Sequence, residues 1–335
     1  MNKKMVSESI GTIHGLIPVV HPIEDLFMKP EFPGNSWFAI GHCQADGHTF
    51  GYVYQLMTVP TDAGGMMLND VLSITDETSG WYHGENRMFQ ISDVTFGRDR
   101  FSIETPSSKM SGNLDAMHIE AKMQCGSISL DLNGVGNILY NAGNGRFSLA
   151  GIDIFEYAIP RLDTCGSISI EDKTYSVSGI SWFDRQWQGL PQNTVPMTQV
   201  MGAFYWCWMD LNLDNGDVIS LWDVGNTEMK IETAWATILH EDGAHTVTSV
   251  KPLRNAATEK WKSPISGLSY PNHWTVEIPA FDAHMEVSTY PANQELVSEY
   301  DSAQKFEGTS KITGIYKGNR VTGFCYVEML GNWKE

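Results

Sequence analysis

The stretch VSGISWFDRQW, residues 177–187, places a carboxyl group two residues from an indole. On a β-strand, Trp182 and Asp184 point to the same face. If that face lines the interior of a barrel, burial raises the pKa of the carboxyl and favours its protonated form. A protonated carboxyl can donate to an alkene, an enol or a leaving hydroxyl, and a nearby aromatic face stabilises the resulting cation. The spacing therefore predicts acid catalysis on an apolar molecule, with Asp184 as the proton donor and Trp182 and Tyr157 as the aromatic faces.

A structural role for the same carboxyl is an open alternative. Asp184 could pair with Arg185 or Arg161 and hold one strand of the sheet in place. The chain also contains a second copy of the surrounding pattern, in which Glu328 takes the position of Asp184. Because we do not expect both copies to be catalytic, the position could be architectural in each of them.

The elements that must position these residues are β-strands. Residues 127–134 alternate apolar and polar side chains, and residues 167–179 do so twice around a short polar turn, as in a hairpin. Turn-forming pairs such as Asp46-Gly47 and Asn215-Gly216 recur along the chain, whereas no window of a dozen residues has a helical period. The pattern predicts an antiparallel all-β protein built from barrels or sandwiches.

The chain repeats itself. Residues 177–184 (VSGISWFD) and 321–328 (VTGFCYVE) share one pattern of apolar, small, aromatic and acidic residues. A fainter echo relates residues 37–47 (WFAIGHCQADG) to residues 206–216 (WCWMDLNLDNG). Two diverged copies of one β-domain explain both the echoes and the length of 335 residues, which exceeds what one core usually serves. We predict domains at 1–190 and 200–335, joined by a linker at 191–199 within a Pro-rich and polar stretch.

Composition narrows the classes of partner and compartment. The net charge of −18 at pH 7 disfavours binding to the phosphate backbone of nucleic acid. No run approaches 18 apolar residues, so we predict no membrane span, and the N-terminal segment is a poor signal peptide because polar residues and Pro18 interrupt it. The five cysteines have no C-x-x-C spacing and are expected to be reduced. We therefore expect a cytoplasmic protein.

Three blocks of the sequence resemble a known family. The first begins YAIPRL at Tyr157 and ends WFDRQW, the second runs from YPNHWTVEIP to GFCYVEMLG, and the third is Trp37 followed by FGYVYQL. Together they resemble the two-domain lipocalin-like family that includes carotenoid 1,2-hydratase, kievitone hydratase, AttH-type proteins and the fungal lipocalin-like Diels–Alderases. The sequence departs from the family pattern at Gln188, which precedes the expected glycine, and at GNSW, where no acid stands before Trp37.

The resemblance implies an all-β chain of two tandem lipocalin-like antiparallel β-barrel domains, with an apolar pocket near or between them. It places Asp184 and Trp182 at the reacting centre and implies a cofactor-independent enzyme acting on a lipophilic polyene, terpenoid or polyketide-type molecule. Three functions stay open at this point. They are acid-assisted addition or removal of water at a C=C bond, cyclisation of a bound polyene as in a Diels–Alderase, and non-catalytic carriage of a lipid or pigment.

Aromatic and histidine side chains elsewhere are candidates for binding the small lipophilic substrate. For the two tryptophans of the run FYWCWMDL, core packing is the competing role, and the two candidate histidines could serve as acid or base partners. The ten histidines show no H-x-H or H-E-x-x-H spacing and no nucleotide-binding motif occurs, so we predict neither a metal site nor an organic cofactor. The substrate-binding candidates are Trp37, His42, Tyr54, His83, Trp206 and Trp208.

Overall fold

The computed structural model describes residues 17–61, 64–149, 151–189, 203–228, 230–298, 304–331 and 333. Regular structure in these residues is almost entirely antiparallel β-sheet, with one short helix, α1 (Pro22–Asp25), and four single turns of 3-10 helix. None of the helices in the described part of the chain is long and apolar enough to cross a bilayer. The predicted linker at 191–199 lies outside the described residues. The 3-10 turns are Ile91–Asp93, Asn141–Gly143, Arg254–Ala256 and Pro279–Phe281.

The first sheet contains 13 strands, all within residues 34–188. They are β1 (Gly34–Ala45), β2 (His48–Pro60), β3 (Met66–Asp76), β4 (Trp81–Gln90), β5 (Thr95–Phe96), β6 (Phe101–Glu104), β7 (Ser108–Gly112), β8 (Ala116–Met123), β9 (Gly126–Gly134), β10 (Leu139–Tyr140), β11 (Arg146–Leu149), β12 (Ile152–Ile170) and β13 (Lys173–Gln188). Hydrogen-bonded neighbours follow the order β4-β3-β2-β1-β13-β12-β9-β8-β7-β6-β5, and β10 and β11 pair with β12. Asp46 and Gly47, both at positive φ, form the tight turn between β1 and β2.

The second sheet contains 10 strands from residues 204–331. The strands of this part of the chain are β14 (Phe204–Leu213), β15 (Val218–Asn226), β16 (Ile231–Leu239), β17 (His245–Ser249), β18 (Ala257–Thr258), β19 (Trp261–Lys262), β20 (Ser269–Tyr270), β21 (His273–Ile278), β22 (Ala283–Thr289), β23 (Glu295–Leu296), β24 (Lys305–Tyr316) and β25 (Asn319–Gly331). The main order is β17-β16-β15-β14-β25-β24-β22-β21-β18, β23 pairs with β24, and β19 and β20 form a separate pair.

The two sheets have the same topology, which confirms the repeat. In each sheet, the last strand in the chain (β13 or β25) is central. A four-strand meander (β1 to β4, or β14 to β17) begins on one side of it, and the preceding long strand (β12 or β24) pairs with it on the other side. The repeated segments at 177–184 and 321–328 fall on the two last strands, β13 and β25. The prediction of an all-β chain with two tandem lipocalin-like antiparallel domains is confirmed.

Each sheet curls around its own apolar core, and a third core joins them. The first core contains Trp37, Tyr54 and Phe183, and the second contains Trp274 and Val327. The third core takes residues from the outer faces of the central strands of both sheets, because these faces pack against each other. Its buried members are Phe38, Ile40, Val53, Leu139, Leu149, Ile154, Ala158, Trp182, Phe204, Trp208, Val218, Trp222, Val224, Leu239 and Tyr326.

The fainter echo between residues 37–47 and 206–216 is out of register by one residue. Phe38 pairs with Asp184 across β1 and β13, whereas Trp208 pairs with Glu328 across β14 and β25. Phe38 therefore corresponds to Trp208, and Trp37 corresponds to Cys207 rather than to a tryptophan. A slip of one residue turns a side chain to the opposite face of the sheet. This is why Trp37 lies inside the first core while its apparent counterpart Trp206 packs against the core between the sheets.

Candidate functional site

Asp184 and Trp182 share one face of β13, as predicted, but that face is not the barrel interior. Phe183, between them, points into the first core, whereas Trp182 belongs to the core between the two sheets. Packing of the second sheet onto this outer face leaves Asp184 only 7 % exposed and Trp182 1 % exposed. The indole Nε1 of Trp182 donates a hydrogen bond of 2.8 Å to Oδ1 of Asp184. The expectation of an interior position was wrong, although its consequence, a poorly hydrated carboxyl beside an indole, holds.

The predicted ion pair between Asp184 and Arg185 or Arg161 does not form. Arg185 alternates to the opposite face of β13, where its guanidinium donates to backbone and amide oxygens, including the carbonyl oxygen of Asp25 at 2.8 Å, and lies over the ring of Trp37. Arg161 donates to the carbonyl oxygen of Gly216 at 3.0 Å. No cationic side chain in the described ranges forms an ion pair with Asp184. The ion-pair form of the structural alternative therefore loses its partner, whereas Asp184 as a hydrogen-bond anchor, here through the indole of Trp182, stays open.

The surroundings of Asp184 favour the neutral acid. Burial raises the pKa of the Asp184 carboxyl well above its usual range, and the negative charge of Glu328 adds to the rise. The hydrogen bond from Trp182 acts in the opposite direction but is outweighed. These surroundings therefore favour the protonated carboxyl, the form that can donate a proton.

Glu156 is a second buried acid on the same face, and the sequence reasoning missed it. Ala158 is the direct cross-strand partner of Asp184, so Glu156, two residues earlier on β12, is its diagonal neighbour. Glu156 is 1 % exposed, accepts a hydrogen bond from the amide of Asn141, and its pKa is raised well above the usual range by burial and then by the charge of Asp184. The available signal was a single acid in the otherwise apolar run IFEYAIP.

Glu328 faces this site from the second sheet in a different charge environment. Trp206 Nε1 donates to its Oε1 at 2.6 Å, and the Nζ of Lys305 lies 3.1 Å from its Oε2. Burial alone would raise the pKa of Glu328, but the positive charge of Lys305 helps to bring it below its usual value. Lys305 also lies 2.5 Å from Oε1 of Glu307, whose pKa burial raises well above the usual range. The sequence analysis did not identify Lys305 and Glu307 as candidates. The run KFE, residues 305–307, nevertheless has the two-residue spacing that puts both side chains on one face of a strand.

Aromatic side chains form a continuous layer between Asp184 and Glu328. Trp208 packs edge to face on Trp182 and on Phe38, each with ring centroids 5.9 Å apart, and its Nε1 donates to Ser220 at 3.0 Å. Trp222 continues the layer at 6.4 Å from Trp208. The structure thus brings two predicted binding residues, Trp206 and Trp208, to the site of Asp184.

The other predicted aromatic residues lie elsewhere. Tyr157 is on the opposite face of β12 from Glu156, and its hydroxyl donates to the carbonyl oxygen of Pro22 at 2.8 Å. Trp37 and Tyr54 are inside the first core, where they donate to Leu26 O at 2.7 Å and Ser108 Oγ at 3.0 Å. Strand alternation separates these residues from Asp184, so the structure does not support a direct contact with a molecule bound there.

The two candidate histidines are also apart from Asp184. His42 lies between the sheets further along β1, with its ring 4.5 Å from that of Phe324 and its Nδ1 3.7 Å from Oε1 of Glu77. His83 is on β4 and lies 3.4 Å from Glu85. In the described ranges, no three His, Cys, Asp or Glu side chains come together in a way that would hold a metal ion.

The expected apolar pocket is occupied by side chains. Two shallow surface depressions, one at residues 44–49 and the other around Lys251 and Glu277, lie away from Asp184. The apolar region between the sheets is instead filled by the layer formed by Phe38, Trp182, Trp208 and Trp222.

Comparison with known proteins gives relatives of matching architecture. Dehydratase asqC from Emericella nidulans is 25% identical over 228 residues, covering 65% of this chain and 62% of that protein. Kievitone hydratase from Fusarium solani subsp. phaseoli is 22% identical over 216 residues, covering 62% of this chain and 58% of that protein. The match thus spans about three fifths of the length of these curated relatives.

A solved structure agrees over nearly the whole chain. The crystal structure of kievitone hydratase from Nectria haematococca superposes with a TM-score of 0.79 and 19% identity, covering 97% of this chain and 96% of that chain. This likeness establishes the shared fold. The profile of the family described as AttH-like matches residues 18–332, and the chain therefore belongs to the AttH-like family.

Proposed function

We propose that this protein is an enzyme that adds water to, or removes water from, a C=C bond of a small apolar natural product. The observation that carries the proposal is the setting of Asp184, a buried carboxyl with an indole as its hydrogen-bond donor and no ion-pair partner among the residues that the structure describes. The names of the two curated relatives, a dehydratase and a hydratase, support the same reaction class.

Asp184 is the proposed proton donor. In hydration, its proton passes to one alkene carbon and water attacks the adjacent carbon, whereas in dehydration its proton passes to the leaving hydroxyl. The faces of Trp182 and Trp208 would stabilise the positive charge that develops next to them. Because the reaction consists of proton transfers and the movement of one water, we propose that it proceeds without an organic cofactor.

A test needs a substrate probe, and two are practical. The protein is incubated in ¹⁸O-labelled water with kievitone, the compound in the name of one relative, and with a lipophilic extract of the source organism. Mass spectrometry then follows products that differ from a starting compound by one water. We expect ¹⁸O in the product of hydration, and we expect both hydration and dehydration to be lost in Asp184→Asn.

Asp163→Asn is the matched control, because Asp163 is an exposed aspartate on the neighbouring strand β12. It should keep full turnover. Full turnover by Asp184→Asn would refute the proposed role. A product of unchanged mass and new retention time would instead indicate cyclisation, and retention of a compound without conversion would indicate a carrier.

A further inference from the structure

We propose that Glu328 is the catalytic base that works opposite Asp184, so that the two copies of the duplicated strand supply one acid and one base. This inference rests on the proposed function, because it assigns the second half of the same proton-transfer reaction. It departs from the interpretation in which the repeat argues for an architectural role at both positions.

The two carboxyls occupy equivalent places in the duplicated fold. Asp184 pairs with Phe38 and Ala158, and Glu328 pairs with Trp208 and Glu307. The contact between Phe38 and Trp208 joins these two sets across the interface. Asp184 and Glu328 therefore face one shared aromatic layer from opposite sheets.

Two positions in the neighbouring strands differ in charge between the copies: Ala158 is equivalent to Glu307, and the second position holds Glu156 in one copy and Lys305 in the other. Glu156 pairs with Gln186 on β12 and β13, and Lys305 pairs with Leu330 on β24 and β25, so Glu156 and Lys305 are equivalent. Asp184 thus has a second acid as its diagonal neighbour, whereas Glu328 has an ammonium group. The first arrangement favours a proton on Asp184, and the second favours a charge on Glu328.

The remaining charged groups around the layer support this division. Burial raises the pKa values of Glu156, Asp210 and Glu307 well above the usual range and so favours the neutral form of each carboxyl. Lys305 contacts Glu307 and Glu328, and these two acids raise its own pKa against the effect of burial. One ammonium group thus accompanies one ionised carboxylate. Opposed protonation states of two nearby carboxyls are the pattern of an acid and base pair.

The proton balance closes over one turnover. In hydration, the O–H bond of Asp184 breaks as a C–H bond forms, the water oxygen bonds to the adjacent carbon, and Glu328 accepts the proton that this water loses. In dehydration, Asp184 protonates the leaving hydroxyl and Glu328 accepts the proton from the neighbouring carbon. These are two alternative reactions, in which the reacting carbon and oxygen of the substrate exchange places relative to the two carboxyls, and not one reaction run in both directions. After either of them a proton returns from Glu328 to Asp184, and no oxidant or reductant is needed.

The first test measures protonation directly and needs no substrate. Infrared difference spectra at pH 7 compare the wild-type protein with Asp184→Asn, Glu328→Gln and Glu307→Gln. We expect Asp184→Asn and Glu307→Gln to lose the carbonyl stretch of a protonated carboxyl, and Glu328→Gln to lose the antisymmetric stretch of a carboxylate. Loss of a protonated-carboxyl band in Glu328→Gln would overturn the inference.

The second test measures turnover with the ¹⁸O-water assay on kievitone and on the lipophilic extract. Glu328→Gln should reduce turnover roughly 10²–10⁴-fold, the usual contribution of a positioned acid or base. Glu328→Asp should restore part of it because it keeps a carboxylate. Glu307→Gln is the matched control, because Glu307 contacts the same lysine. The activity of this variant should still fall at low pH, because Glu328 becomes protonated there.

The outcomes separate this inference from the proposed function. Loss of turnover in Asp184→Asn with wild-type turnover in Glu328→Gln would remove Glu328 from the reaction and leave the proposed function in place. Wild-type turnover in Asp184→Asn would remove the proposed function itself. A loss in Glu328→Gln that Glu328→Asp does not relieve, with an unchanged infrared band, would show a structural role.

Discussion

Phe38 and Trp208 meet edge to face between the two sheets, with ring centroids 5.9 Å apart, and each is the cross-strand partner of one buried acid, Asp184 or Glu328. The contact is formed by equivalent positions of the two halves of the chain. The site is therefore a product of the duplication, since each half contributes one carboxyl and one aromatic ring to a common interface.

Substitution of Asp184 should separate chemistry from stability. Asp184→Asn should abolish turnover while changing the free energy of unfolding by less than about 1 kcal/mol, because the amide resembles the neutral acid in shape and its oxygen can still accept the hydrogen bond from Trp182, whose loss would itself cost about 1 kcal/mol. Breaking a buried ion pair would instead cost ~3–5 kcal/mol. Urea unfolding of both proteins gives the measurement, and a loss in the larger range would indicate that Asp184 is structural.

Trp182→Phe tests the hydrogen bond to Asp184. The phenyl ring keeps an aromatic face but cannot donate, and this donor opposes the rise in the pKa of Asp184. We expect the pKa of Asp184 to rise further, so that the fall of turnover at high pH moves to higher pH. A pH profile of turnover measures the shift. A shift toward lower pH would show that the indole does not stabilise the ionised form.

Arg185→Lys should affect stability rather than chemistry. The buried guanidinium donates to the carbonyl oxygens of Asp25 and Phe27 and to the side chain of Asn35, each at 2.8 Å, and a lysine cannot reach all three with this geometry. We expect a loss of about 3 kcal/mol or more in unfolding free energy, because hydrogen bonds to charged groups contribute ~1.5–3 kcal/mol each.

The protonation state of Asp184 gives the control for Arg185→Lys. Because Arg185 points away from Asp184, folded Arg185→Lys should keep the infrared band of the protonated Asp184 carboxyl. Disappearance of that band would mean that the guanidinium acts on the site after all.

Asp223→Asn should make the protein relatively more stable as the pH rises. Burial raises the pKa of Asp223 to about 6, above the ~3.9 of an unfolded aspartate. The folded state then binds more protons between these values, so ionisation costs stability as the pH increases from about 4 to 7. The asparagine side chain cannot ionise. Its oxygen can still accept the hydrogen bond that the backbone N–H of Leu253 donates to the Asp223 carboxylate in the wild-type protein, where the two atoms are 2.6 Å apart.

The measurement for Asp223 is urea unfolding at several pH values. The unfolding free energy of the variant minus that of the wild type should increase by roughly 2–3 kcal/mol between pH 4 and pH 7, as a shift of two pKa units implies. Asp163→Asn should show no such trend. A constant difference across this range would show that Asp223 titrates normally.

Local patterns in the sequence were sufficient to predict the β-strands. Alternation and turn residues predicted the antiparallel strands, and the repeat at 177–184 and 321–328 predicted two sheets of one topology. The same alternation correctly placed Trp182 and Asp184 on one face. These features depend on neighbours in the chain and on the two-residue period of a strand, so they can be inferred before any long-range contact is known.

Long-range packing decided what that face contacts. A strand pattern does not say whether a covered face looks into its own barrel or against a second sheet, and here the outer face of β13 is buried only because β14 and β25 pack over it. For the same reason Tyr157, adjacent to Glu156 in sequence, lies away from the site. One residue of register also separated Trp37 from its apparent counterpart Trp206.

The charge environment likewise depended on tertiary structure. Asp184 and Glu328 occupy matching positions in matching sequence patterns, yet one lies beside Glu156 and the other beside Lys305. Those neighbours are contributed by other strands and are distant in the chain. The sequence by itself determined the strands, the duplication and the pair Trp182–Asp184. Only the tertiary structure decided that the two carboxyls meet one aromatic layer in different charge environments, because pKa values depend on burial and on charges brought close by folding.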